Sequence, residues 1–140
     1  MAATTRDFER LLDANLNRFK EGVRVVEDVM RYLYDHAELA LKLKKVRHNA
    51  TLIFQQNNLD LCALCAGRDS QNDVLVDSDF SNAGSCLQMV QANFKRAQES
   101  ARVLEECFKY LIAFAKPADF KSLRYELYTL EKECIALIQA

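Results

Sequence analysis

Three observations predict an all-α fold. Only three glycines and one proline interrupt 140 residues, and the abundant Leu, Ala, Glu, Lys and Arg favour long helices. Apolar residues recur at three- and four-residue steps, with no alternating strand pattern. The chain also repeats itself: residues 13–32 align without a gap to residues 91–110, identical at Ala14/Ala92, Asn15/Asn93, Arg18/Arg96, Glu21/Glu99, Arg24/Arg102, Val25/Val103, Glu27/Glu105 and Tyr32/Tyr110. Unrelated stretches of this length would share about one or two residues, so this is a duplication. The expected architecture is a duplicated helical hairpin, repeats at about 10–57 and 88–139, packed as a four-helix core with an internal pseudo-two-fold axis. One short helix and a long loop, 67–85, complete the expected single domain.

The first helix is expected over residues 5–34, with Leu12, Leu16, Phe19, Val23, Val26, Met30 and Leu33 forming one apolar stripe. Gly22 lies at the edge of that stripe, and an interior helical glycine, about 1 kcal/mol worse than alanine, points to close approach of another helix. Its twin is Ser100, also small. Asp35-x-x-Glu38 has capping-box spacing and predicts a second helix to Asn57-Asn58. A short helix over 59–66 ends at Gly67. Ser81 or Ser85 caps the next long helix, which runs to about Lys116, and Pro117 opens the last one. The repeat reaches the second helix of each hairpin, pairing Lys44 with Lys121 and Arg47 with Arg124.

A chain of 140 residues buries enough surface to fold without metal or disulfide. Nineteen basic and twenty acidic side chains nearly cancel, so no net field draws the protein to nucleic acid or to an anionic membrane. Any bound anion must be held by local arginines. Five cysteines, an odd number, and the lack of a leader or a long apolar run predict a reducing cytoplasm. Cys62 and Cys65 read as two core-facing thiols on one helical turn, since nothing completes a zinc site.

What recurs is mostly polar, whereas a repeat kept for packing alone would retain its apolar residues first. One reading makes Arg18–Glu21 and Arg24 with Glu27 or Asp28 exposed ion pairs of about 0.2–0.5 kcal/mol each. The sharper reading has Arg18, Arg96, Arg47 and Arg124 converge near the internal axis as guanidinium forks for phosphate, helped by Asn15 and Asn93, with Glu21 and Glu99 orienting them or holding Mg2+. Arg68 and Asp69, which have no second copy, are either a helix-end cation with a turn-forming aspartate or catalytic residues over one half-site. No glycine-rich phosphate loop is present.

The run R-L-L-D-A-N-L-N-R-x-x-E-G-x-R-V-x-E-D from Arg10 to Asp28 carries a resemblance, as do G-R-D-S-Q-N-D-V (67–74), Q-A-N-F-K-R-A-Q-E-S-A-R-V-L-E-E (91–106) and L-R-Y-E-L-Y-T-L-E (123–131). Together they resemble the small helical domain found ahead of thiamin-phosphate synthase in cyanobacteria and as a separate protein elsewhere. That family is assigned as a kinase for hydroxymethylpyrimidine phosphate, so the resemblance implies thiamin biosynthesis, ATP and Mg2+ as cofactors, and formation of the pyrimidine diphosphate. It also implies thiamin-phosphate synthase as a partner, and it leaves room for a homodimer. The alternative is a non-catalytic helical module that binds a pyrimidine phosphate or docks onto that synthase. The chain departs from the family at Phe19 and Cys107, which read as packing changes. It has no room for the synthase's own (β/α)8 barrel of about 250 residues.

Overall fold

The computed structural model describes residues 2–77 and 84–140, and among these there are helices and no strand. Helix α1, Thr5–Asp28, starts at a capping box in which Thr4 Oγ1 accepts from Asp7 N and the Asp7 carboxylate accepts from Thr4 N. It runs on as one π turn, Val29–Leu33. The wider turn keeps Val29 and Met30 buried while Tyr32 and Leu33 face solvent.

The expected capping box at Asp35 does not form. Asp35 takes a left-handed conformation, φ 48°, that turns the chain around, and an N-cap needs extended backbone instead. His36 caps α2, Ala37–Gln56, its Nδ1 accepting from Leu39 N at 3.2 Å. Helix α3, Leu61–Ala66, is capped by Asp60. Its buried side chain is Leu64, and both Cys62 and Cys65 are exposed, so the core-facing placement expected for those thiols is wrong. The inward side of so short a helix is taken by its leucine.

Ser85, with Gln88 completing a capping box, starts α4, Cys86–Tyr110; Ser81 lies outside the described residues. α4 ends earlier than expected, because Lys116 precedes a proline and must be extended (φ −106°, ψ 102°). Its backbone N–H is also held by Asn57 Oδ1 at 2.9 Å. Residues 111–115 are needed to turn towards that anchor. Helix α5, Pro117–Gln139, then begins with proline in its first turn.

The long helices form two hairpins, α1–α2 and α4–α5, that pack face to face through α1 against α4 and α2 against α5. Lys42 meets Glu133 at one end of α2 and Asn57 meets Asp119 at the other, so α2 and α5 are antiparallel. Phe19, Phe54, Phe108 and Phe120, one from each long helix, are essentially fully buried. Phe120 stands edge-on to the other three at centroid distances of 5.3–6.0 Å. Each such ring contributes about 1.5–3 kcal/mol by burial.

α1 and α4 cross at backbone contact. A Cβ added to Gly22 would lie 2.8 Å from the Asn93 carbonyl oxygen and 3.5 Å from the Ala97 Cβ. With each hairpin antiparallel and α2 antiparallel to α5, α1 and α4 also run antiparallel.

Candidate functional site: a groove between the repeated helices

Where α1 and α4 cross, their outer faces leave a groove of about 800 Å³. Its lining is composed of twins. Asn15, Arg18 and Glu21 come from α1 and Asn93, Arg96 and Glu99 from α4, over a floor of Gly22, Val25, Ser100 and Val103. Gly22 is what lets the floor sit so low, because a side chain there would push the helices apart. Counting outward from the Gly22–Asn93–Ala97 contact sets Arg18 level with Glu99 and Arg96 level with Glu21.

The recurring polar residues divide into three kinds. Arg24–Asp28 and Arg102–Glu106 are exposed i, i+4 pairs on the outer faces. Glu27–Arg47 and Glu105–Arg124 are bidentate clamps that tie the two helices of each hairpin together. Only the third kind faces the groove. Arg18, Arg96, Glu21 and Glu99 make no ion pair among the described residues. Asn15 and Asn93 are buried, each donating its amide Nδ2 to the backbone four residues earlier, at 2.9 Å to Leu11 O and 2.8 Å to Met89 O.

The convergence of four arginines is therefore corrected to two. Arg47 and Arg124 do not reach the groove, since a nearly buried carboxylate on the neighbouring helix takes each guanidinium. Arg124 is further held by the Tyr128 hydroxyl and lies 5.1 Å over the Tyr125 ring. The exposed Arg18–Glu21 pair of the plainer reading is absent as well. Glu27 bonds Arg47, not Arg24.

Arg68 grips Asp13 with two hydrogen bonds, 2.7 and 2.8 Å, on the flank of α1. Asp13 and the nearby charge of Glu21 both hold the Arg68 guanidinium above its ordinary pKa, Asp13 the more strongly. Arg68 is thereby fixed against the flank of α1, close to the groove residue Glu21. Asp69 is exposed, with both carboxylate oxygens accepting from Asn72 Nδ2.

Sequence reasoning missed Asp13 as the anchor, although a signal was there: its twin is Gln91, so it breaks the repeat next to a loop that also has no twin. It missed the Glu27 and Glu105 clamps because their partners lie on another helix. Val25 and Val103 were visible as a recurring pair and were given no place in a site. No group of three or more His, Cys, Asp or Glu that could hold a metal occurs among the described residues. Glu21 and Glu99 are the carboxylates that line the groove.

Fold and groove together define a duplicated all-helical domain with a two-fold, arginine-bearing cleft. The match to a family model makes this more specific: the ThiD2 family model covers residues 10–133, and the chain belongs to the ThiD2 family. It is similar to the thiamine-phosphate synthase of Synechocystis sp., 40% identical over 127 residues, covering 87% of this chain and 34% of that protein. The Nostoc punctiforme thiamine-phosphate synthase is 37% identical over 126 residues, again 87% and 34%. That of Gloeobacter violaceus is 38% identical over 125 residues, 87% and 35%. The chain thus spans about a third of the length of these curated relatives. No solved structure matches. No helix among the described residues is long and apolar enough to cross a membrane.

Proposed function

We propose that the chain acts in thiamine biosynthesis as a phosphotransferase, moving the terminal phosphoryl group of ATP onto 4-amino-5-hydroxymethyl-2-methylpyrimidine phosphate to give the diphosphate. Family membership and the relatives' names support the pathway. The observation that carries the reaction class is the groove itself: two guanidinium groups without ion-pair partners among the described residues, facing one cleft from twin positions. Joining two phosphates brings several negative charges together, and most catalysis of such a step is positioning and charge neutralisation.

In this reading Arg18 and Arg96 each take one phosphate as a planar fork, and Asn15 and Asn93 orient the ligands. An acceptor phosphate oxygen attacks the terminal phosphorus and ADP leaves. Mg2+ would supply further neutralisation when bound, with Glu21 and Glu99 as its protein ligands and the nucleotide's phosphates as the rest, a common arrangement for that ion. Arg68 and Asp69 act from the α1 flank, as a further cation and as a carboxylate to position the ion or the acceptor.

The test is to incubate the purified protein with MgATP and the pyrimidine monophosphate and follow phosphorus NMR. Diphosphate should appear, and Arg18→Ala and Arg96→Ala should each lower its rate at least a hundredfold while leaving the melting temperature almost unchanged, since neither arginine holds the fold. Tight binding of the monophosphate without turnover would leave a binding module in place of an enzyme.

A further inference from the structure

ATP and the pyrimidine monophosphate differ as whole molecules, yet they share one edge. Each carries an exocyclic amine beside an unprotonated ring nitrogen, on adenine in one and on the 4-aminopyrimidine in the other. Asn15 and Asn93 have the chemistry to read that edge. They are only 3% and 7% exposed, on a groove open to ligand. Each commits its Nδ2 to a backbone carbonyl of its own helix. That bond fixes the amide's orientation, because the flipped amide would press Oδ1 against Leu11 O or Met89 O. What remains is Oδ1, which accepts no hydrogen bond from any described residue. An amide oxygen can accept but not donate. It suits an amine and repels a keto oxygen at the same place.

We propose that each half of the groove seats one aminopyrimidine edge, Asn15 Oδ1 or Asn93 Oδ1 accepting from the exocyclic amine while Arg18 or Arg96 takes the phosphate of that ligand. The inference rests on the phosphotransferase reading for the identity of the two ligands. It gives a reason for the duplication to keep the same asparagine and arginine in both copies. Both copies meet the same chemical pattern.

Nucleotide selectivity follows. Replacing adenine by hypoxanthine turns the amine into a keto group and protonates the neighbouring nitrogen, leaving sugar and phosphates alone. Calorimetric titration of the unaltered protein should show ADP binding at least about tenfold more tightly than IDP, as expected where a buried acceptor loses its donor. One of Asn15→Ala and Asn93→Ala, the variant in the half that takes the nucleotide, should shrink that ratio with helix content kept by circular dichroism, and an unchanged ratio in both variants would overturn the inference. Equal affinity for ADP and IDP in the unaltered protein would overturn the inference, and so would failure of both to bind at millimolar concentration. Turnover separates the two readings. If ATP and ITP drive diphosphate formation equally well, the edge reading fails and the phosphotransferase stands. If ADP is preferred but no nucleotide yields diphosphate, the phosphotransferase fails and the edge reading stands.

Discussion

Gly22 sets the height of the groove floor, and the cost of changing it can be read from one distance. A methyl group at that position would meet the Asn93 carbonyl oxygen at 2.8 Å, and a backbone oxygen inside a helix cannot swing aside as a side chain can. Gly22→Ala should therefore destabilise the protein by about 1–3 kcal/mol despite alanine's better helix propensity, and Gly22→Leu by more. Thermal melting checks this; a melting temperature equal to the parent's would mean that the helices have room to spare. The buried thiols make a second residue-scale prediction. Burial pushes the Cys134 thiol up to about 12 from its ordinary 9.0, so the folded state holds this proton more tightly than the unfolded chain does. Its contribution is complete below pH 9 and is lost as pH rises from there towards 12. Cys134→Ala should flatten the alkaline limb of stability against pH, and thiol reagents at pH 8 should modify Cys62 and Cys65 but leave Cys107 and Cys134 untouched. At this scale recurrence located the groove residues, but it gave Arg18 and Arg47 the same weight. Both recur, and only the presence of a carboxylate on the facing helix separates an arginine left open to the groove from a structural one.

The hairpin is the element that the clamps define. Glu27 is 2% exposed and meets Arg47 through two hydrogen bonds of 2.9 and 3.2 Å. A carboxylate so deeply buried is tolerable only while its partner is there. Arg47→Ala should cost about 3–5 kcal/mol by stranding that charge, whereas replacing the pair together, Glu27→Leu with Arg47→Leu, should be close to neutral. Denaturant midpoints for the single and double variants measure the difference; equal losses would mean that the charge is relieved by water or by Lys20 and not by Arg47. The helix starts at Ser85 and Pro117 were legible because capping side chains and proline act within one turn of sequence. The end of α4 was not. It is decided by Asn57, more than fifty residues away, which accepts from Lys116 N and bonds both Ile53 O and Asp119. The start of α2 was missed for a related reason: a π turn ahead of it leaves Asp35 in the left-handed region and passes the cap to His36.

Across the whole molecule the symmetry was written in the repeat, while the departure from symmetry rests on a contact that no repeat could announce. Arg68 meets Asp13, whose twin Gln91 is uncharged and exposed, so the Arg68–Asp13 pair has no counterpart at the twin position among the described residues. On the proposed reading two ligands that share an edge still have to be told apart, since one would donate a phosphoryl group and the other accept it, and an element present on one side only can make that distinction. Arg68→Ala should cut turnover at least about tenfold, roughly 1.4 kcal/mol of barrier. The fold should lose little, because Arg68 is 44% exposed at its side chain and Asp13 retains its bond from Asn17 Nδ2; a melting shift of no more than a few degrees is expected. Asp13→Asn keeps the shape of the anchor and removes its charge, so it should lower turnover in the same direction, while Gln91→Ala should change nothing. If Arg68→Ala and Asp13→Asn both turn over at the parental rate, the segment after α3 only connects the hairpins. The difference between donor and acceptor must then arise inside the groove, where Ser100 lines the floor and supplies a hydroxyl that its twin Gly22 lacks.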